Sequence, residues 1–318
     1  MKKYIYLLVA IVITSSCNRD DVITEELEDH YRAKTATSVA EQTVVFEYTP
    51  APGQFINETK TGGFDGTQTT PEAAIEYATQ RMKEELFVSL GGFGGYIVVG
   101  FDHSIDNTGS YDFGIKGNSF GGSSEPGIVW VMQDKNGNGK PDEIWYELAG
   151  SETGKAETIQ DYAVTYYRPE VPQQPVKWTD NQGNSGEIDY LKVYHKQDYY
   201  YPLWIKEDSY TLTGTCLKAR NYDASGKGTY WVNDEYDWGY VDNFSPIDRL
   251  TDSSNANAAA NANYFKISNA IDANGNPANL KYIDFIKVQV GVNAKSGWLG
   301  ELSTEVFGFF DYSMMQAE

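Results

Sequence analysis

Asp134-Lys135-Asn136-Gly137-Asn138-Gly139-Lys140-Pro141-Asp142 is the segment best equipped to hold an ion. Side-chain oxygens stand at positions 1, 3, 5 and 9 of this stretch, with glycine at 6. A large hard cation such as calcium needs several oxygens converging around a sharp turn, which this spacing supplies. The expected ligands are Asp134, Asn136, Asn138 and Asp142, with Lys140 giving its carbonyl. Position 12 is Trp145 instead of glutamate and both flanks read as strands, so the loop departs from the EF-hand, and Glu143 or Glu147 is left to complete the shell. The plain alternative is a polar Asn-Gly hairpin turn that holds no metal. The expected calcium role is structural, at the weak extracellular end of affinity, roughly 10⁻⁴ to 10⁻³ M.

Other reactive patterns are weaker. Gly117-Asn118-Ser119-Phe120-Gly121 fits Gly-x-Ser-x-Gly, but that nucleophile must stand between a strand and a helix, and here another strand follows, so Asn118 and Ser119 read as turn residues. Gly150 to Ala156 has too short a spacer for a phosphate loop and lacks its closing Ser or Thr. Glu125, Asp142, Asp237 and Asp242 are candidates for a glycosidase pair, yet such a pair must face across one cleft at roughly 5 to 9.5 Å. With 45 acidic residues, chance pairs are expected. No catalytic residue is assigned, and the chain is expected not to be an enzyme.

Aromatic clustering is more suggestive. Tyr194, Tyr199, Tyr200, Tyr201, Trp204 and Tyr210, then Tyr222, Tyr230, Trp231, Tyr236, Trp238 and Tyr240, crowd a region rich in Asp, Asn and Gly. Flat rings beside fixed hydrogen-bonding groups suit sugar rings or a large planar ligand, because Tyr and Trp bury much area at little cost in rotamer freedom. The expected ligand loop is Tyr236-Asp237-Trp238-Gly239-Tyr240-Val241-Asp242-Asn243, with Tyr236, Asp237, Trp238, Tyr240, Asp242 and Asn243 as contacts on one exposed segment. The competing reading is that these rings pave the interior of a large β-sandwich.

These residues sit in a chain of 318 residues, long enough to bury a sizeable core unaided. Its net charge of -20 repels phosphate backbones and excludes nucleic acid as a partner. Two cysteines and three scattered histidines cannot build a zinc cluster, an iron-sulfur site or a disulfide framework. A basic Met1-Lys2-Lys3 start precedes a short apolar run, Tyr4 to Ile13, too short to span a bilayer. Thr14-Ser15-Ser16-Cys17 resembles the lipobox of bacterial lipoproteins, which implies a leader over 1–16 and lipidation at Cys17. Asn18-Arg19-Asp20-Asp21 looks like the surface-export signal of Bacteroidetes lipoproteins, which implies an outer-membrane, cell-surface location held by the lipid alone. Residues 17–40 are polar and aperiodic and read as a flexible tether.

Helix signals are confined to Thr70-Pro71-Glu72, a cap followed by proline at the first helical position, with Ala74, Ile75, Ala78 and Met82 on one face. Elsewhere short β-prone runs alternate with Gly, Asn, Asp and Pro: Tyr96 to Phe101, Tyr111 to Ile115, Gly127 to Gln133, Ile144 to Leu148, Tyr162 to Tyr167, Tyr190 to Tyr194, Tyr264 to Ile267, Tyr282 to Val290 and Thr304 to Phe310. In Tyr282 to Val288 both alternating sets are apolar, which predicts a central strand, and Gly91 to Gly95 must turn or bulge. Many short strands imply an all-β sandwich over 41–318, with one short N-terminal helix.

Val88-Ser89-Leu90-Gly91-Gly92, Phe101-Asp102, Tyr111 to Phe120 and Ser124-Glu125-Pro126-Gly127-Ile128-Val129-Trp130-Val131, with Tyr282 to Gly291 and Ser296 to Glu301 at the end, resemble a Bacteroidetes cell-surface lipoprotein family with a galactose-binding-like jelly-roll domain. The resemblance covers about half the chain. It implies a jelly roll, and it marks about 150–260 as a long aromatic-rich insertion. The expected function is non-catalytic capture of a glycan or another bulky nutrient, such as a corrinoid, for uptake, alongside an outer-membrane importer. The alternatives are a calcium-stiffened structural or adhesive surface protein and, further off, a glycan-active hydrolase.

Overall fold

The structure, a computed structural model, describes residues 30–250 and 261–315. Cys17, the leader and residues 251–260 lie outside the described residues. In chain order the elements are β1 (Val44–Thr49), α1 (Pro71–Lys83), β2 (Val88–Ser89), β3 (Tyr96–Asp106), β4 (Phe113–Lys116), β5 (Gly127–Met132), β6 (Tyr146–Leu148), β7 (Ile159–Tyr167), β8 (Val176–Asp180), β9 (Ser185–Ile188), β10 (Ser209–Cys216), β11 (Asn221–Asp223), β12 (Trp231–Asn233), β13 (Ala262–Phe265), β14 (Ala270–Ile271), β15 (Tyr282–Val290), β16 (Glu305–Val306), β17 (Gly308–Asp311) and α2 (Tyr312–Met315).

β15 lies inside a six-stranded antiparallel sheet of order β1-β3-β15-β5-β6-β14. It takes that place because Ile283, Phe285, Ile286, Val288 and Val290 are apolar on both faces and all buried, so both faces need cover. Across the core stand the three-stranded sheet β13-β4-β17 and the short pair β16-β2. Ile97, Val99, Val129 and Ile286 of the large sheet share one buried cluster with Phe113, Ile115, Phe309 and Val306 of the small ones. The two layers make an all-β sandwich. α1 starts where the sequence places it: the Thr70 hydroxyl accepts from the Ala73 amide at 3.2 Å, Pro71 follows, and Ala74, Ala78 and Met82 turn inward against the core.

Residues from Ile159 to Cys216 form a separate four-stranded sheet, β10-β7-β8-β9. Its own buried cluster contains Val164, Tyr166, Val176, Ile188, Tyr200, Tyr201 and Leu212, and it takes in Ala51 and Phe93 from the sandwich. Polar seams fix the docking: the Tyr166 hydroxyl donates to the Phe93 carbonyl at 2.9 Å, Tyr210 donates to the Pro50 carbonyl at 2.8 Å, and Gln289 of β15 donates to the carbonyls of Gly94 and Thr213. Tyr190 to Tyr194 is not a strand. The Tyr194 and His195 amides both donate back to the Leu191 carbonyl, closing a turn that takes them out of any ladder.

Residues 30–40, expected as the end of a flexible tether, are docked on the sandwich instead. The cause is a β-bulge in β15 between Ile283 and Phe285, which turns Asp284 inward. This buried carboxylate accepts from the Arg32 guanidinium at 3.0 Å, from the Ser104 hydroxyl at 2.6 Å and from the Asp134 amide at 2.8 Å. Lys34 pairs with buried Asp311 at 2.9 Å, and Asp311 also holds His103 at 3.0 Å. A buried carboxylate needs partners of this kind, and the segment supplies two cations.

Candidate functional site

The segment 236–243 packs against the start of β5 and divides its residues between core and surface. Tyr236 and Tyr240 are buried, edge to face at 5.4 Å, within a cluster that includes Ile128 and Leu302. Asn243, also buried, accepts from the Tyr236 amide at 2.9 Å and donates to the Tyr236 carbonyl at 2.8 Å, clamping the loop on itself. Val241 exchanges 3.0 Å amide bonds with Gly127. The expectation of one exposed segment therefore holds only for Asp237, which is exposed, and Trp238, which is half-buried. Two packed tyrosine rings and a carboxamide clamp form the support instead of the contact surface.

Asp242 has the most unusual surroundings. It adopts a left-handed backbone at φ 55°, is fully buried, and accepts from the amides of Asn118 at 2.9 Å and Glu305 at 3.0 Å. Turned to donate, the Asn118 carboxamide reaches both carboxylate oxygens, at 3.0 and 3.3 Å. Gly117 is obligatory here, because a Cβ would stand 2.8 Å from an Asp242 oxygen. Glu125 and Glu305 join Asp242, and carboxylate oxygens of the three lie within 4.8 Å of one another. The Ser303 amide donates to Glu125 at 3.3 Å, whereas one oxygen of Glu305 and the buried Ser119 hydroxyl find no partner among the described residues.

Burial pushes the Asp242 carboxyl up to about 7, against the pull of the three amides of Glu305, Asn118 and Ser119. Glu125 and Glu305 are driven well above the ordinary carboxyl range, first by burial, and then by the charges of Glu305 and Asp242 for Glu125 and by that of Asp242 for Glu305. Three carboxylates this close cannot all ionise without a compensating charge, so they hold protons near neutrality or take a hard cation, whose oxygen preference they match.

Trp238 opens onto a cleft of about 260 Å³ lined with Tyr111, Ile247, Tyr264, Lys266 and Asn269. The loop is fixed at this wall by Asp248, which accepts from the Gly239 amide at 2.6 Å and from Asn263 at 2.9 Å. Gly239 meets the wall backbone to backbone, since a Cβ there would come 2.5 Å from the Gly150 Cα. Lys266 lies 5.1 Å from the centroid of the Tyr111 ring. Rings, an ammonium and a carboxamide thus border one hollow.

The 134–142 loop is a closed knot of oxygens. Asp134, buried, accepts from the Asn138 and Gly139 amides at 3.1 and 2.8 Å, and Asn136 and Asn138 donate their carboxamide nitrogens to Asp142 at 3.1 and 2.8 Å. The Lys140 carbonyl accepts the Asp142 amide at 3.0 Å. Of the two glutamates considered for the shell, Glu143 joins this loop, accepting from the Asn136 amide at 2.7 Å, while Glu147 turns away to the Thr215 hydroxyl. The second Glu143 oxygen is buried and has no partner among the described residues. The donor set fits calcium.

Of the four carboxylates considered for a pair, Glu125 and Asp242 come together, while Asp142 belongs to the loop and Asp237 stands exposed. Sequence reasoning missed Glu305 and Glu301. The available signal was two acids set in Glu301 to Phe310, a run otherwise reading as a buried strand. Comparison of the chain with protein-family models and with curated proteins gave no match. Among the described residues no helix is long and apolar enough to cross a membrane.

Proposed function

We propose that this chain is a non-catalytic, surface-anchored binding lipoprotein that captures a glycan or a comparably bulky nutrient for uptake, with calcium stiffening the 134–142 loop. The observation that carries the reading is the Trp238 cleft, which joins an aromatic wall to Lys266 and Asn269 on a rigid β scaffold. The Cys17 motif and the acidic residues after it support the anchor, and the orphaned Glu143 oxygen supports the metal. A sugar face stacks on indole while its hydroxyls take fixed polar partners, an arrangement that binds without altering a bond.

Isothermal titration of the protein against a glycan panel and cobalamin tests it. One ligand class is expected to give heat, and Trp238→Ala to weaken that binding at least tenfold with the melting temperature little changed, since Trp238 is half-buried and outside the core. Silence from the whole panel would overturn capture.

A further inference from the structure

A second, smaller cavity of about 150 Å³ lies where the four-stranded sheet meets the sandwich, between Trp178, Gly186 and Ile188 on one side and Phe93, Asn293 and Glu301 on the other. Glu301 is 5% exposed. One of its carboxyl oxygens accepts from the Gln54 amide at 2.6 Å, while the other, Oε2, is buried with no partner among the described residues. Lys295 also lines the cavity, but its ammonium is engaged by Asp189 at 2.8 Å. The hollow therefore combines aromatic walls with an acid that has half its bonding capacity unspent.

We infer that this cavity is a binding site for an organic ammonium group, held by the free oxygen of Glu301 and flanked by the Trp178 and Phe93 rings. Aromatic rings attract cations through their negative faces, and a carboxylate shielded from water pairs most strongly with a donor that carries positive charge. The volume suits an amine head group, not an oligosaccharide, so this site is distinct from the Trp238 cleft. The net charge of -20 further favours a cation at the entrance.

Burial of its acid gives the site a signature. Burial raises the Glu301 carboxyl to about 8, opposed by the Gln54 amide and helped by the charge of Asp189. The other ionisable groups that face it are Lys295 and Glu187 at the cavity, and Tyr166, Tyr200, Glu305 and Glu125. At pH 7 the acid is therefore protonated, and an arriving ammonium must displace that proton to the buffer. A neutral ligand would leave the proton in place.

Calorimetric titration with n-butylammonium chloride, in two pH 7 buffers of different ionisation enthalpy, tests the site, with n-butanol as the neutral comparator. Nearly one proton is expected to leave per amine bound, and affinity to rise about tenfold from pH 6 to pH 7 and then level off above pH 8. Glu301→Gln should remove proton release and weaken amine binding at least tenfold. Overturning results are no binding of the amine, equal binding of butanol, or binding without proton release. The proton count on the unaltered protein decides the matter even if Glu301→Gln does not fold.

Discussion

Asp242, Glu125 and Glu305 impose a pH dependence whose sign follows from their surroundings. Each carboxyl is raised above its unfolded value, so across the window from about pH 4 upward the folded chain binds more protons than the unfolded one. Stability must fall as pH rises through that window, and for Asp242, raised to about 7, the loss is on the order of 4 kcal/mol once both states are ionised. Glu305→Gln removes one of the three charges while keeping the strand. It is expected to raise the melting temperature at pH 8 by several degrees and to change it much less at pH 5, read by calorimetry with a chelator present. The opposite order, with loss of stability at pH 8, would show a cation already satisfying the triad. Only part of this centre was legible in sequence. Asp242 stands out among aromatics and Glu305 as an acid in an apolar run, but they come from distant parts of the chain and nothing local says that they meet, and Glu125 resembles an ordinary residue before proline.

At the scale of elements, the bulge in β15 couples two segments distant in sequence, because Asp284 holds both Arg32 and the amide that opens the 134–142 loop. Arg32→Ala leaves a buried carboxylate with only the Ser104 hydroxyl and the Asp134 amide. Since Arg32 is itself one-third exposed, the expected cost is about 2 kcal/mol, less than for a fully enclosed pair. Denaturant unfolding measures the cost, and faster proteolysis after Lys34 reports the undocking. In the loop itself, Asp142→Ala should abolish any rise in melting temperature that millimolar calcium gives to the chelated protein; a rise that survives places the ion elsewhere. Element by element, legibility followed burial. β3, β5 and β15 are read easily because their apolar runs are covered on both faces. β8 and the edge strand β9 mix lysine, tryptophan, threonine and glutamate and give no such signal. Tyr190 to Tyr194 has strand-forming residues but spends its amides on a turn, a choice made by the Leu191 carbonyl and invisible to propensity.

Across the whole molecule, the aromatic-rich region proves to serve two ends. Tyr200, Tyr201, Tyr236 and Tyr240 are interior, and Tyr166 and Tyr210 use their hydroxyls to weld the four-stranded sheet to the sandwich, whereas Tyr194, Tyr222 and Tyr230 remain exposed. Composition announced the crowd but not its division, since a tyrosine suits both a core with one polar partner and a wet surface. Tyr166→Phe should cost about 1 kcal/mol by leaving the Phe93 carbonyl unpaired, seen as a lower unfolding midpoint, without altering binding at the Trp238 cleft.

The docking of residues 30–40 also fixes a length. With lipid on Cys17, about 13 residues run from the acylated end to His30, and fully drawn out they reach no more than roughly 45 Å. Were Cys17 lipidated as proposed, the body of the protein would be held within that reach of the bilayer surface.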